Sequence, residues 1–524
     1  MKGKIRRRII TIVCITLISA LFVSCNNERN GSNGDPNKEL SVWCTLYADI
    51  ALMYFNYAEM PLYKELEKKT GIKIKFQHPA AGQQSEQFNL LVASGDLPDI
   101  IANDWLGYPG GPERAMTDKV IIPLNDLIEN HAPNLKKFIS ENKEYDKMIK
   151  TDSGNYYVFP FIRGDEFLYT YRGIIIRKDW LDEEGLDIPS TISEWHNALT
   201  AFKKARPDIS PLTFSSFAGA VAATSAFLGA FGTGDGFYIQ DGKVVYGALE
   251  PGYEKFVRLM RTWYEEGLID KDFATNDSNA LNSKMLSSRA GSTIAQAGSG
   301  LGRYLDYAKQ ENISLDFVGC PYPVLTKGQK PEFGHRMSSY EGIGSYAITV
   351  KCADKELAAK WCDYGYGAEG HMLYNFGIEG VSYNLEDGYP RYTDLILKNP
   401  EGLSVSQALN GYARSLSNGP FVQDKRYFEQ YMAHEQQKEA INRWSNTNAA
   451  AHALPPVTYT EEESLKFSKI MNDINTFKDE MLIKFVIGME PISNYSNFVK
   501  QLHIFNIEEA ISVVQGAVDR YDKR

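Results

Sequence analysis

LSVWCT at residues 40–45, IKIKF at 72–76 and DIIA at 99–102 are the segments whose reading decides the fold. The first is a β-prone, mostly apolar run. The second alternates apolar and polar with the two-residue period of a strand that faces a core on one side. The third is short and nearly all apolar, as a buried strand is. Between the first two, Leu62, Leu66 and Lys69 fall at helical spacing and Gly71 supplies a stop. A second helix is expected over residues 83–93. This β-α-β-α-β order implies a doubly wound α/β lobe, and in such sheets ligands bind beyond the carboxyl ends of the strands.

Further along, a second unit of the same kind begins near Tyr171. RGIIIR at 172–177 has strand character, and TISE at 191–194 is a capping box opening a helix with Trp195, Leu199 and Phe202 on one face. PLTFS at 211–215 returns as a strand, followed by an apolar helix over 217–231. Residues 237–249 read as a hairpin turning at Asp241-Gly242. STIA at 292–295 and DFVG at 316–319 look like buried strands. The C-terminal quarter is mostly helical: Thr460 and Glu463 make another capping box, and Leu465, Ile470, Ile474, Phe477, Met481 and Phe485 form an apolar stripe assigned to core. Trp180, Trp195, Trp263 and Trp361 fall on helices and are read as core, while Trp444 is open to either reading.

Toward the amino terminus, Lys2, Lys4, Arg6, Arg7 and Arg8 precede sixteen uncharged residues, 9–24, and then Cys25. A basic start, a short apolar stretch and a small residue before the cut are marks of an export signal, and the stretch is shorter than the roughly 20 residues a membrane helix needs. LFVSC at 21–25 looks like a bacterial lipobox with Cys25 as lipid acceptor, although Phe22 stands where leucine is usual; an ordinary secretory signal is the alternative. Residues 26–37 (NNERNGSNGDPN) contain no apolar side chain and are expected to act as a flexible spacer.

Overall the chain has 43% hydrophobic residues, an ordinary globular composition. Its formal charge of -10 becomes -15 without the five basic residues of the signal. That acidity disfavours nucleic acid and anionic lipid as partners. Cys44, Cys320, Cys352 and Cys362 are too sparse and irregular for a disulfide framework or zinc ribbon, and read as buried thiols. HExxH, GxSxG and GxxxxGK[ST] do not occur. GTGDG at 232–236 follows a helix rather than a strand and reads as a stop and turn.

SGDLPDI at 94–100 resembles a signature of the extracellular solute-binding proteins of family 1, the lipoprotein receptors of carbohydrate ABC importers. GNYYVFP at 154–160, RKDWLDEEGLDIPSTISEWHNALTAF at 177–202 and GIEGVSY at 377–383 extend the likeness. KFVIG at 484–488 and QGAVDR at 515–520 resemble its large LplA-like branch. The resemblance implies a two-lobed, periplasmic-binding-protein-like (type II) α/β fold with a hinge and a helical C-terminal region. It places residues 38–165 and 322–375 in lobe 1, and 166–321 and 376–524 in lobe 2. Crossings are expected near 161–171, 320–340 and Phe376. Some relatives carry a calcium loop of DxNxNGxxDEIP type after the helix that here ends at Phe202; this chain has KKARPDISP at 203–211 instead, so no calcium, and no other metal or cofactor, is expected.

A sugar site needs flat aromatic faces for C–H surfaces and fixed polar groups for hydroxyls. Candidates at strand ends are Trp43 and Tyr47, then Asp104 and Trp105 where the family places contacts. Trp43 could equally be core, and Trp105 could be a packed loop residue. Arg163 and Asp165 follow the strand into the first crossing, where they could bind hydroxyls or an acidic sugar, or pair with each other. Phe217 (stacking or core), Gln296, Tyr340, Glu341 and Glu379 complete the set. The resulting expectation is a monomeric receptor on the extracytoplasmic face of the cell membrane, held there only by lipid. It would capture a carbohydrate, an oligosaccharide above all, by hinge closure and pass it to ABC permease subunits. An extracellular carbohydrate-active enzyme and a receptor for a non-sugar solute such as a peptide are the competing readings.

Overall fold

The computed structural model describes residues 38–414 and 419–524. The export signal, Cys25 and the polar spacer lie outside the described residues. In the first sheet the strands run in the order Ser345–Ile348, Ile100–Asn103, Glu39–Trp43, Lys73–Gln77. The last three are parallel, with Val42 opposite both Phe76 and Ile100, and Ser345–Ile348 closes the sheet antiparallel to Ile100–Asn103. Helix Pro61–Thr70 makes the first return. It begins on a proline, whose missing N–H costs nothing at a helix start, and ends where Gly71 takes φ 67°. The second return is helix Gln84–Ser94. The SGDLPDI turn is fastened by Asp99, whose carboxylate accepts the backbone N–H of Ser41 at 2.8 Å and its hydroxyl at 2.6 Å. One acidic residue thus registers the third strand against the first.

The second sheet is mixed and ordered Phe317–Gly319, Arg172–Arg177, Ala290–Gln296, Ser210–Leu212. Ala290–Gln296 is antiparallel to Arg172–Arg177 and parallel to Ser210–Leu212. Both predicted capping boxes are present. Thr191 and Glu194 open helix Ile192–Ala205, and Thr460 and Glu463 open helix Glu461–Ile487. The hairpin turns at Asp241 and Gly242 with φ 51° and 75°, the paired left-handed residues a two-residue turn requires. Trp444 is core: its indole N–H donates to Ile174 O at 3.3 Å, and its ring lies where a Cβ on Gly173 would stand. Trp180, Trp195, Trp263 and Trp361 are buried as read, and the four cysteines of the body are free and buried. Leu465 departs from the predicted stripe, being 56% exposed, whereas Ile470, Ile474 and Phe485 are buried.

Buried apolar residues divide into two large cores. One is built from residues between Leu40 and Phe161 and between Tyr340 and Tyr374, joined by Phe421. The other uses residues from Leu168 to Tyr322 and from Phe376 to Ala510. The chain passes between them at residues 161–168, 322–340 and 374–376. One passage is a short parallel ladder, Ile162 and Arg163 against Val422 and Gln423. The C-terminal helices belong mainly to the second core yet touch the first: Ser464 accepts the N–H of Gly110 at 2.9 Å, and Arg520 pairs with Asp152 at 2.7 Å.

Candidate functional site

The site is assembled from strand ends and crossing segments at the junction of the two cores. Tyr47 follows the first strand. On the other core, Tyr171 precedes Arg172–Arg177 and Gln296 ends Ala290–Gln296. Gly298 and Ser299 lie in the turn immediately after Gln296. Helix Lys425–Tyr431 brings Tyr427, Phe428 and Tyr431 to the same space. Gly298 has a local reason to be glycine, because a Cβ there would collide with the Tyr431 ring. The Ile162–Val422 ladder and residues 337–341 place Arg163, Gln423 and Glu341 alongside.

Together these groups enclose a central cleft of about 390 Å³. It does not stand alone. A recess of about 210 Å³ shares Tyr47 and Ile343 with it, and one of about 370 Å³ shares Gly298, Ser299 and Tyr431. An outer cavity of about 1300 Å³ shares Met337 and Glu341. The four spaces adjoin one another around the central cleft as a trough, each outlying space sharing lining residues with it.

Its polar groups are held in place. Arg163 Nη1 donates to Ser338 O at 2.9 Å and lies 3.3 Å from Glu341, with its guanidinium 5.5 Å from the Phe161 ring centre. Glu341 accepts the Ser338 N–H at 3.2 Å; burial pushes its carboxyl above the ordinary value, outweighing the attraction of Arg163. Gln423 donates to the Tyr427 hydroxyl at 2.9 Å, and Ser299 donates to Gln296 Oε1 at 2.7 Å. In the recess beside Tyr47, burial likewise raises the Asp104 carboxyl, which accepts the Gly107 N–H at 3.2 Å. Arg414 lies 4.4 Å from the Tyr57 ring centre and 5.7 Å from that of Tyr47. Aromatic faces with fixed donors and acceptors between them suit a polyhydroxylated ligand.

Of the residues expected from sequence, the structure gathers Tyr47, Arg163, Gln296 and Glu341 in the central cleft and Asp104 in the adjoining recess. Asp165 lines the outer cavity and pairs with Lys425 at 2.9 Å, so it is not the partner of Arg163. Four expectations are corrected by burial. Trp43 points into the first core against Phe88, and Trp105 is wholly buried between Phe88 and Tyr108. Phe217 packs against Phe214 and Phe273 in the second core. Tyr340 borders the outer cavity but is itself buried, its hydroxyl shared with Tyr157 at 2.9 Å. Glu379 is exposed and lines none of the four spaces. Lining residues that sequence reasoning did not name include the half-buried Tyr171 and Tyr431 and the buried Arg414, Gln423 and Tyr427. The run KRYFEQY at 425–431 carried a signal, three aromatics within two helical turns, but such a stripe ordinarily means core.

The helix expected to end at Phe202 runs on to Ala205, and the turn that follows it does not fit a calcium ion. Lys203 Nζ donates to Pro207 O at 2.7 Å and Ile209 O at 3.0 Å, so an ammonium already occupies the carbonyl oxygens a cation would seek. The Arg206 guanidinium lies 4.5 Å from the Trp180 ring centre, adding a second positive charge.

A family model described as bacterial extracellular solute-binding protein matches residues 55–372. The fructooligosaccharide ABC transporter substrate-binding protein FusA of Streptococcus pneumoniae serotype 4 is 26% identical, over 97% of each chain. Lipoprotein LipO of Bacillus subtilis strain 168 is 24% identical over 79% of this chain and 81% of its own. Among solved structures, the alginate-binding protein AlgQ2 without calcium ion aligns with a TM-score of 0.77 at 25% identity, covering 93% of this chain and 99% of that one.

Proposed function

The chain belongs to the bacterial extracellular solute-binding proteins, and from that membership and the trough we propose that it captures an oligosaccharide and delivers it to an ABC permease. The two-lobed type II fold supplies the mechanics. The lobes correspond in this reading to residues 38–165 with 322–375 and 166–321 with 376–524. The cores depart from these bounds at Phe421, drawn into the first core beside the crossing ladder, and at Tyr322, which packs in the second. Closure of the lobes about the crossing segments would bring Tyr47 and Asp104 toward Gln296, Tyr171 and Tyr431 across the ligand.

The observation that carries the reading is the row of adjoining spaces around the central cleft at the seam between the cores, with tyrosine faces on both sides and anchored side chains between them. The protein works by binding and release, as a monomer and without chemistry on the sugar. Incubation with a panel of oligosaccharides should raise the melting temperature with one or more of them, and the sugar should be recovered intact. Turnover at enzymic rates would instead establish the reading as an extracellular carbohydrate-active enzyme.

The membrane tether is the lipid on Cys25, with residues 26–37 as spacer. No described helix is long and apolar enough to cross a membrane. Labelled palmitate should be incorporated by the wild type and lost in Cys25→Ser; equal labelling of both would remove the anchor from this account.

A further inference from the structure

The trough's charges are balanced in a way that bears on which sugars it accepts. Among the described residues, two charged side chains line the central cleft, Arg163 and Glu341, and they pair at 3.3 Å. The recess beside Tyr47 has Asp104 and Arg414, and the recess beside Tyr431 has Arg303 and Asp306. The outer cavity sets two cations, Lys143 and Arg336, against the carboxylates of Glu144, Asp165, Glu166, Glu341 and Asp522. Arg336 is drawn to Glu166 at 3.5 Å. A uronate oligomer brings one carboxylate per sugar, and the strongest partner for each is a cation, best an arginine presenting two N–H groups. Counted over the described lining residues, no part of the trough has more cations than carboxylates, and the outer cavity has fewer.

We propose that the cleft selects uncharged oligosaccharides, and that Glu341 sets this choice by neutralising Arg163 and repelling any ligand carboxylate brought to it. The proposal rests on the oligosaccharide-receptor reading above. Among the described residues Arg163 is the one guanidinium lining the central cleft, and it has a second anchor in Ser338 O at 2.9 Å. Removing the charge of Glu341 would therefore leave the guanidinium in position with N–H groups available to a carboxylate. Like-charge apposition across a partly dehydrated site is a strong rejection device, and replacing the carboxylate by an amide of the same shape removes it with little change in packing.

The test is calorimetric titration of wild type and Glu341→Gln with neutral fructo-, malto- and galacto-oligosaccharides of three to five units. Oligogalacturonates of the same lengths form the second panel. The expected wild type binds a neutral oligomer and binds the uronates at least about a hundredfold more weakly. Glu341→Gln, folded with a melting temperature no lower than wild type, should gain about tenfold or more for oligogalacturonate. Wild-type binding of uronates as tight as that of any neutral oligomer overturns the selectivity while leaving the receptor reading intact. An unchanged uronate affinity in Glu341→Gln overturns the role of Glu341. Failure of both panels to bind wild type removes the receptor reading and this inference together.

Discussion

Two ion pairs, one at the end of a strand in the second core and one in the ligand cleft, are made from the same kinds of groups and differ in how completely they are satisfied. Asp270 receives Lys284 Nζ at 2.6 Å, the Thr213 hydroxyl at 2.6 Å, Asn276 Nδ2 at 2.8 Å and the Asp272 N–H at 3.2 Å. Burial alone would raise its carboxyl, but the hydrogen bonds from Lys284, Thr213 and Asn276 outweigh burial and bring it down to about 2. Glu341 has Arg163 at 3.3 Å and one backbone N–H, and there burial prevails and the carboxyl is raised. The first pair is complete without any ligand. The second is left short of partners in the place where a ligand's hydroxyl groups would supply them.

The sharpest way to break this contrast is to strip the complete pair. Asp270→Ala should cost about 3 kcal/mol of stability, because Lys284 loses its buried counter-charge and Thr213 and Asn276 lose a shared acceptor. Thermal unfolding would show the loss, while oligosaccharide affinity stays within about twofold of wild type, since none of these groups borders the central cleft. A comparable fall in affinity would mean that the two pairs are coupled and the contrast is false.

Acid should separate them with opposite signs. Asp270 has a depressed folded pKa, so its contribution is present above the ordinary 3.8 and is lost as pH falls toward about 2. At 4% exposure the carboxylate is shielded enough for that shift to correspond to about 2 kcal/mol. Glu341 has a raised folded pKa, so its contribution is complete below the ordinary 4.5 and is lost as pH rises through its folded value. Denaturant unfolding between pH 2 and pH 5 should therefore show an acid-side loss in wild type that is diminished in Asp270→Asn. Glu341→Gln should be no less stable than wild type at neutral pH.

In the cleft the expected pattern reverses. Arg163→Ala should weaken oligosaccharide binding about tenfold by removing a charged hydrogen-bond donor from the centre of the trough. The melting temperature should fall by little, because Glu341, already raised by burial, can take up a proton once its partner is gone. Titration calorimetry beside a thermal melt reads both quantities, and a large loss of stability with unchanged affinity would reclassify Arg163 as a structural bridge between the crossing segments.

The same contrast explains what could be read from the sequence. The saturated, local parts were legible: IKIKF gave its alternation, and the two capping boxes and the Asp241-Gly242 turn were visible because their partners lie within four residues. The strand ends were also located, but not the direction of the side chains there. Tyr47, Asp104 and Trp105 lie just past the last strand residues, Trp43 and Asn103, where no regular period fixes side-chain direction; Trp43 and Trp105 turn inward while Tyr47 and Asp104 border the open space. Tyr427 and Tyr431 were invisible for a different reason. Their helix reaches the cleft because Val422 and Gln423 pair with Ile162 and Arg163, a contact between segments far apart in the chain that no local pattern announces.

The smallest expected effect concerns a third cation, Lys203, which is satisfied by backbone carbonyls rather than by a carboxylate. Its two hydrogen bonds, to Pro207 O and Ile209 O, span the turn that returns the chain to strand Ser210–Leu212. Lys203→Met keeps the length of the side chain and removes the ammonium, so the loop should lose about 1 kcal/mol and the melting temperature should fall slightly. Added calcium should leave the wild-type melting temperature unchanged, because a divalent ion would have to displace a covalently attached ammonium from the same oxygens. It should not rescue Lys203→Met either, since one exposed aspartate, Asp208, is the only carboxylate between residues 203 and 211 and calcium takes six to eight oxygen ligands. A calcium-dependent rise in melting temperature that disappears in Asp208→Ala would show that the loop binds the ion after all, and that Lys203 swings out to admit it.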